Sequence, residues 1–130
     1  MSKQPRPTDG ELEILRVLWR TGPATVREVH EELCREKPSA GYTTILKLLQ
    51  IMADKGLVTR DEKSKAHVYS ARMAQEQTQR QLVGDLLDRA FGGSASRMVM
   101  QALSTKKASA QEIAEIRQML DEYAREGGKP

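Results

Sequence analysis

The stretch that decides the fold is residues 42–60, which read YTTILKLLQIMADKGLVTR. Its apolar side chains recur at spacings of three, four and seven, the period of one helix face, at Ile45, Leu48, Leu49 and Met52. Gly56 then stands where a helix commonly ends in a left-handed glycine. The run that follows, Leu57-Val58-Thr59-Arg60, is rich in β-branched residues and indicates a strand. We therefore predict a helix from about Tyr42 to Lys55 that leads directly into a β-strand.

The side chains opposite that apolar face are polar and able to form hydrogen bonds. Lys47 can donate to guanine and Gln50 can pair with adenine, if the helix lies in a major groove. Hydroxyl groups at the helix N-terminus favour a phosphate, because backbone N–H groups are free there. The candidate contacts to DNA on this helix are Tyr42, Thr43, Thr44, Lys47 and Gln50. The alternative is an ordinary solvated helix face.

Two earlier helices are predicted by capping boxes, in which a Thr and a Glu three residues later satisfy each other's backbone N–H groups. Thr8 and Glu11 begin the first helix, which ends at Gly22-Pro23. Thr25 and Glu28 begin the second. The second ends at Lys37-Pro38, because a residue before proline is disfavoured in a helix. Three helices therefore precede the first strand.

Downstream of Gly56 the pattern is that of a β-hairpin. Strands are predicted at 57–60 and 67–70, and the stretch between them is polar and charged. Basic side chains that suit phosphate or minor-groove contacts cluster here, at Arg60, Lys63, Lys65 and His67. Three helices followed by a basic hairpin are typical of a winged helix-turn-helix domain. We assign this domain to residues 8–73, after a flexible N-terminal arm at residues 1–7.

The remainder, residues 74–130, is predicted to be helical. Helices are expected at 75–91, at about 94–103 and from the capping box at Ser109 and Glu112 onwards. A segment of this length cannot bury its apolar stripes by itself. We therefore expect a second copy of the chain to pack against them. The residues expected at this homodimer interface are Leu82, Val83, Leu86, Phe91, Ile113, Ile116 and Leu120. Packing back onto the winged helix is the alternative.

The predicted fold class is therefore mainly α with a small β-hairpin, a winged helix-turn-helix domain followed by a helical dimerisation segment. The net charge is +3 at pH 7, and a single cysteine in 130 residues suits a reducing cytoplasm. No apolar run is long enough for a membrane helix, and no signal peptide is visible. We find no phosphate-binding loop, catalytic triad or paired carboxylates. Neither an enzyme nor a cofactor is expected.

His30 and Cys34 are the one pair that resembles a metal site. They lie four residues apart on one helix face, as two metal ligands would. Two ligands are too few, however, and no other ligating side chain obviously converges on them. We therefore expect a structural cysteine and no metal.

Taken together, these motifs resemble those of the penicillinase-repressor family. The resemblance is carried by residues 8–19, 26–29, 42–49, 55–58, 91–93 and 112–116. It implies a repressor that binds a palindromic operator as a dimer and controls resistance or stress-response genes such as β-lactamase. It also implies release by a membrane-bound sensor peptidase, which cuts within the dimerisation segment.

The stretch that matches the family's cleavage region is residues 98–103. Well-known members have Asn-Phe where this chain has Gln101 and Ala102, which are therefore the candidate cleavage position. A copper-responsive branch of the family carries paired C-terminal cysteines. This chain has no cysteine after Met73, which excludes copper sensing through such a pair.

A winged-helix module that binds a partner protein, without reading DNA, is the alternative function. The two functions differ in their dependence on salt. Contacts from Lys and Arg to phosphate release counterions and weaken steeply with salt. An interface with an apolar core is much less sensitive.

Overall fold

The computed structural model describes residues 5–127, which form six helices and three short strands. The helices are α1 (Asp9–Thr21), α2 (Val26–Glu36), α3 (Tyr42–Lys55), α4 (Gln75–Phe91), α5 (Ala95–Thr105) and α6 (Ala110–Arg125). The strands are β1 (Ala24–Thr25), β2 (Val58–Asp61) and β3 (Val68–Ala71). The predicted fold class is confirmed, while residues 1–4 of the predicted arm lie outside the described residues. None of the helices in this range is both long and apolar enough to span a membrane.

The first two helices begin at the capping boxes that the sequence predicts. The Thr8 hydroxyl accepts from the Glu11 N–H at 3.3 Å, and the Thr8 N–H donates to Glu11 Oε1 at 2.9 Å. Thr25 and Glu28 exchange the same two bonds at 3.2 and 2.9 Å. These reciprocal bonds satisfy N–H groups that have no partner within the helix. The starts of α1 and α2 are therefore set by local sequence.

The apolar face of α3 forms the centre of the core. Ile45, Leu49 and Met52 are 3%, 0% and 0% exposed, while Leu48 on the same face is half-buried. They belong to one cluster with Ile14, Leu15, Val17, Leu18, Ala24, Val26, Val29, Leu33, Leu57, Val58 and Tyr69. Gly56 ends the helix in the left-handed region, with φ of 86°, which a glycine adopts without strain. The predicted boundaries of α3 are confirmed.

The predicted hairpin forms, and a third strand joins it. The sheet is antiparallel with the order β1-β3-β2. β2 pairs with β3 from Val58↔Ala71 to Asp61↔Val68, and β1 adds two pairs on the other edge of β3. β1 has only two residues, too few for an alternating pattern to be visible in the sequence. It attaches the α1–α2 connection to the first half of β3. Residues 58–71 are called the wing below.

A partly buried ion pair joins the start of α1 to the end of α3. Lys55 Nζ lies 2.8 Å from Glu11 Oε1, and Glu11 is 2% exposed. Burial alone raises the pKa of the Glu11 carboxyl, but the hydrogen bonds from Lys55 and Thr8 and the charge of Lys55 outweigh it. The pKa is therefore lowered from its ordinary value of 4.5. Glu11 thus caps α1 and anchors α3 with the same carboxylate.

Trp19 holds the chain where it leaves the wing. Its indole Nε1–H donates to the Met73 carbonyl at 3.0 Å, and its ring is half-buried. α4 starts two residues later, and its Thr78 is fully buried. The first compact unit ends at Gly84 and the second begins at Asp85. The first turns of α4 thus belong to the winged-helix unit, while the functional division predicted at residues 73 and 74 stays a prediction.

The second unit holds the end of α4 together with α5 and α6. Ser94 caps α5 by accepting from the Arg97 N–H at 3.3 Å, and Ser109 caps α6 by accepting from the Glu112 N–H at 3.1 Å. None of the described side chains of α5 and α6 is fully buried. Their exposed large apolar side chains are Val99, Met100, Leu103, Met119, Leu120 and Tyr123. In the single chain, the apolar stripes of this segment are therefore largely uncovered.

Replacement of Lys55 by Met is expected to lower the free energy of unfolding by about 1–3 kcal/mol, because it leaves the Glu11 carboxylate buried without its cation. The loss is expected in full above the ordinary pKa of Glu11. It should shrink as the pH falls through the lowered pKa, since protonation removes the charge that the pair stabilises. Urea unfolding followed by circular dichroism at several pH values measures both effects.

Lys37→Met is the matched control for this prediction. Lys37 and Glu13 form an exposed pair of 3.3 Å, with the two side chains 59% and 44% exposed. Solvent screens such a pair, so its loss is expected to cost less than about 1 kcal/mol. Equal losses in the two variants, or a Lys55 effect that does not change with pH, would contradict the role given to Glu11.

Candidate nucleic-acid interface

The N-terminus of α3 is open to solvent. Gly41 is its N-cap and makes no side-chain capping bond, and the first turn contains no acidic residue. Tyr42, Thr43 and Thr44 are exposed in that turn. Backbone N–H groups and hydroxyls are therefore available there to an anionic group such as phosphate.

The face of α3 opposite the core carries Lys47 and Gln50. Both are exposed, because the helical period that buries Ile45 and Leu49 directs them outward. Within residues 5–127, the Lys47 ammonium has no ion-pair or hydrogen-bond partner. An ammonium and an amide on a protruding helix are donors that suit base edges and phosphate.

The basic side chains of the wing differ in whether they form an ion pair. Arg60 Nε lies 2.7 Å from Glu62 Oε2. Hydrogen bonding to Tyr69, followed by the charge of Glu62, raises the pKa of Arg60 above its ordinary value. Lys63 and Lys65 are exposed, and their ammonium groups have no partner in the described part of the chain. His67 is exposed beside them. The turn between β2 and β3 thus presents two unpaired cations, and Arg60 is a paired one.

Local hydrogen bonds shape the turn that carries these cations. Asp61 Oδ1 accepts from the backbone N–H of Lys63 at 2.9 Å. The Ser64 hydroxyl donates to the Ala66 carbonyl at 2.9 Å. Side-chain bonds of this kind hold a turn in place without using its lysines.

An open cleft of about 500 Å³ separates α3 from the wing. The structure brings five of the nine predicted DNA contacts to this cleft, namely Tyr42, Gln50, Arg60, Lys65 and His67. The other four, which are exposed but do not line it, are Thr43, Thr44, Lys47 and Lys63. The lining therefore combines guanidinium, ammonium, imidazole, amide and hydroxyl groups. Most of these groups are hydrogen-bond donors, as the phosphates and base edges of a nucleic acid require.

Arg27, which is not among the contacts predicted from the sequence, lines the same cleft. It lies in the first turn of α2 and pairs with Glu31 at 3.5 Å, while its side chain is 82% exposed. The sequence did contain a signal. The first turn of a helix favours acidic residues, because the helix dipole is positive there. An arginine at that position is unfavourable for the helix dipole, although its pair with Glu31 offsets part of this cost.

The residues predicted for the dimer interface fall into two groups. Val83, Leu86 and Leu120 are 48%, 48% and 62% exposed. The other four are half-buried, namely Leu82, Phe91, Ile113 and Ile116. The candidate cleavage residues Gln101 and Ala102 are both exposed, inside α5.

Among residues 5–127, no group of three or more His, Cys, Asp and Glu side chains could hold a metal ion. His30 and Cys34 lie four residues apart on α2, with Sγ 3.3 Å from Nε2. This pair lies outside the lining of the cleft described above.

Comparison with known proteins finds relatives along nearly the whole chain. The family model of the penicillinase repressor matches residues 7–122. The penicillinase repressor of Bacillus licheniformis is 27% identical over 126 residues, which are 95% of each chain. The transcriptional regulator BlaI of Mycobacterium tuberculosis is 34% identical over 132 aligned positions, which cover 100% of this chain and 94% of the relative.

Among solved structures, the solution structure of the DNA-binding domain of the repressor BlaI matches with a TM-score of 0.50 and 27% identity. The match covers 58% of this chain and 90% of that one. The likeness in sequence and the likeness in fold therefore agree. The family model alone spans far more than half of the chain, so the chain belongs to the penicillinase repressor family.

Proposed function

We propose that the protein is a transcriptional repressor that binds a double-stranded DNA operator, with α3 in the major groove and the wing against the adjacent backbone. The observation that carries this proposal is the cleft, where the outward side chains of α3 meet the basic side chains of the wing. Membership of the family supports it, since one relative is named a penicillinase repressor and another a transcriptional regulator.

The outward side chains of α3 are assigned different roles by their chemistry and position. Lys47 and Gln50 lie in the middle of the helix, where they can reach base edges. Tyr42, Thr43 and Thr44 lie at its open N-terminus, where hydroxyls and N–H groups suit phosphate. The apolar face on the other side is committed to the core and contributes to binding only by holding the helix in place.

The wing and α2 supply contacts that do not depend on sequence. Lys63 and Lys65 have free ammonium groups, so they can neutralise phosphates directly. Arg60 must share its guanidinium with Glu62, and His67 stands beside them. We add Arg27 to this set, because it faces the same cleft from the first turn of α2.

We infer that the operator is palindromic and that the protein binds it as a homodimer. The uncovered apolar side chains of α4, α5 and α6 support this, because a symmetric partner would remove them from water. The expected interface residues are Leu82, Val83, Leu86, Phe91, Ile113, Ile116 and Leu120. One α3 would then enter each half-site, with half-site centres about 34 Å apart or a multiple of this distance.

The proposed regulated genes are of the resistance or stress-response class, such as β-lactamase. We further propose that a membrane-bound sensor peptidase releases the operator by cutting between Gln101 and Ala102. Both residues are accessible, but α5 continues to Thr105. A peptidase that cuts extended chain would therefore first have to unwind the end of α5. Cleavage would detach α6 from the rest of the dimerisation segment.

Gln50→Ala is expected to weaken operator binding by about 1–3 kcal/mol and to relax the preference at one base pair. Lys65→Ala is the contrast, because a phosphate contact carries no sequence information. It should weaken binding to all duplexes about equally and flatten the slope of log affinity against log salt by about 0.9. Mobility-shift titrations of operator and scrambled duplexes at several salt concentrations separate the two effects.

Arg20→Ala is the control, since Arg20 pairs with Glu36 at 3.6 Å and does not line the cleft. Its affinity and salt slope should equal those of the unmodified protein. If Thr43, Lys47 and Gln50 can all be changed to Ala without loss of operator affinity, α3 does not read the operator. The module that binds a partner protein would then be the better assignment.

Leu120→Asp is expected to turn the dimer into a monomer, because it places a charge on the apolar stripe of α6 without disturbing a buried side chain. Static light scattering at micromolar concentration should give twice the chain mass of 14.6 kDa for the unmodified protein and about half of that for the variant. Gln118→Asp, which is exposed on the same helix but outside the stripe, should remain a dimer. A monomeric unmodified protein would refute the homodimer.

Exposure of cells to a β-lactam is expected to produce a fragment that ends at Gln101. Mass spectrometry of the repressor recovered from those cells, compared with untreated cells, detects it. An intact chain alongside an induced operon would rule out cleavage as the release mechanism. Operator binding could still hold in that case, because it is measured on the intact protein.

A further inference from the structure

His30 on α2 holds the chain where it enters α3. Its ring Nε2 lies 3.0 Å from the carbonyl oxygen of Ala40, the residue before the N-cap Gly41. A carbonyl oxygen only accepts hydrogen bonds, so Nε2 carries the proton and is the donor. Cys34 Sγ packs beside this bond, 3.3 Å from Nε2 and 3.6 Å from the same oxygen. The imidazole is therefore held by contacts within α2 and by the turn that follows α2.

The same imidazole packs against the first residue of α3. The rings of His30 and Tyr42 have centroids 5.6 Å apart and an interplanar angle of 78°, an edge-to-face arrangement that aromatic pairs prefer. His30 is half-buried and does not line the cleft between α3 and the wing. Tyr42 is 46% exposed and does line that cleft. Tyr42 thus connects a residue outside the cleft to the candidate interface.

The start of α3 lacks the local restraint that α1 and α2 have. Those two helices begin at capping boxes, whereas the N-cap of α3 is Gly41, which has no side chain to form a capping bond. The local sequence therefore does not fix the direction in which the chain enters α3. The bond from His30 to the Ala40 carbonyl supplies such a restraint from the preceding helix.

The contact with His30 also restricts the side chain of Tyr42. A tyrosine surrounded by solvent samples several rotamers, and it loses that freedom when its hydroxyl is held against a phosphate. This loss lowers affinity, unless the ring is already held in place before the DNA binds. The Tyr42 hydroxyl makes no hydrogen bond within residues 5–127. It is therefore available to a phosphate oxygen while the ring remains packed on α2.

We propose that His30 is a positioning residue for operator binding, which directs the Tyr42 hydroxyl toward a phosphate at the open start of α3. His30 acts through Tyr42 and makes no contact with the DNA itself. This role rests on the operator binding proposed above. It extends the machinery of binding to a half-buried residue that does not line the cleft.

A role limited to the stability of the turn would have a different signature. If His30 only stabilised the turn, its loss would disturb the whole of α3, including the contacts proposed for Lys47 and Gln50. A positioning role concerns Tyr42 alone. Loss of the imidazole should then remove the contribution of the Tyr42 hydroxyl and leave the other contacts unchanged. A double-mutant cycle measures this difference, because residues that act through one another give losses that do not add.

His30→Gln is the test variant, because a glutamine amide can still donate to the Ala40 carbonyl while the ring contact is lost. The probe is the duplex that the unmodified full-length protein selects from a random-sequence pool, and binding is followed by fluorescence anisotropy. Tyr42→Phe, which removes only the hydroxyl, is expected to weaken binding about 3- to 10-fold. His30→Gln should weaken it to a similar extent, and the double variant should bind no more weakly than either single variant.

Lys65→Ala is the matched control for the cycle. Lys65 belongs to the wing, so its contact with phosphate does not depend on the ring of Tyr42. The fold-loss caused by Lys65→Ala should therefore be the same in the unmodified protein and in His30→Gln. The preference for a base pair that Gln50 provides should also be the same in both backgrounds.

Three results would overturn the positioning role. They are a double variant whose loss is the product of the two single losses, a His30→Gln variant of unchanged affinity, and a Tyr42→Phe variant of unchanged affinity. In each case, weaker binding by Gln50→Ala and Lys65→Ala would still support the proposed function. If the unmodified protein selects no duplex, the proposed function fails and the role of His30 fails with it.

His30→Phe provides a second cycle if circular dichroism shows that His30→Gln does not fold. It keeps an aromatic ring against Tyr42 and removes the donor to Ala40. Operator affinity should then be close to that of the unmodified protein, and Tyr42→Phe should again cost about 3- to 10-fold. Loss of the Tyr42→Phe effect in this background would refute the ring contact as the means of positioning.

Discussion

Burial of one face of α3 is the constraint on which the rest of the molecule depends. Ile45, Leu49 and Met52 reach the core only if the helix is rotated so that Lys47 and Gln50 stand in solvent. The ion pair between Glu11 and Lys55 then holds the C-terminal end of the helix, and Gly56 turns the chain into the wing. A cavity in this core would therefore impair the binding surface without removing any group from it.

The parts of the fold that the sequence predicts well are those whose hydrogen bonds close within a few residues. Two capping boxes, a glycine cap and the hairpin all appear where they are expected. The parts that it does not predict depend on distant segments. β1 has two residues and exists only because β3 offers it an edge. The bond from Trp19 to Met73 spans 54 positions, and nothing near either residue indicates it.

The same division holds for the candidate site. Exposure of Tyr42, Lys47 and Gln50 follows from the helical period, which is a local property. The gathering of Arg27 with the wing does not, because it depends on how α2 and β3 are placed around α3. The apolar stripes on α6 indicate that another protein surface packs against them, but they do not identify that surface.

The hydrogen bond between Trp19 and Met73 also makes the intrinsic tryptophan fluorescence of the protein sensitive to this junction. The chain has one tryptophan, so all indole emission comes from the junction where the wing passes into α4. An indole that is partly shielded and bonded to a carbonyl differs in its emission from one surrounded by water. Any event that moves the start of α4 away from α1 would shift the wavelength of maximal emission of Trp19, and no added dye is needed to detect it. Local unwinding confined to α5 or α6 would leave it unchanged, so a spectrometer could distinguish movement at the junction from loosening at the far end.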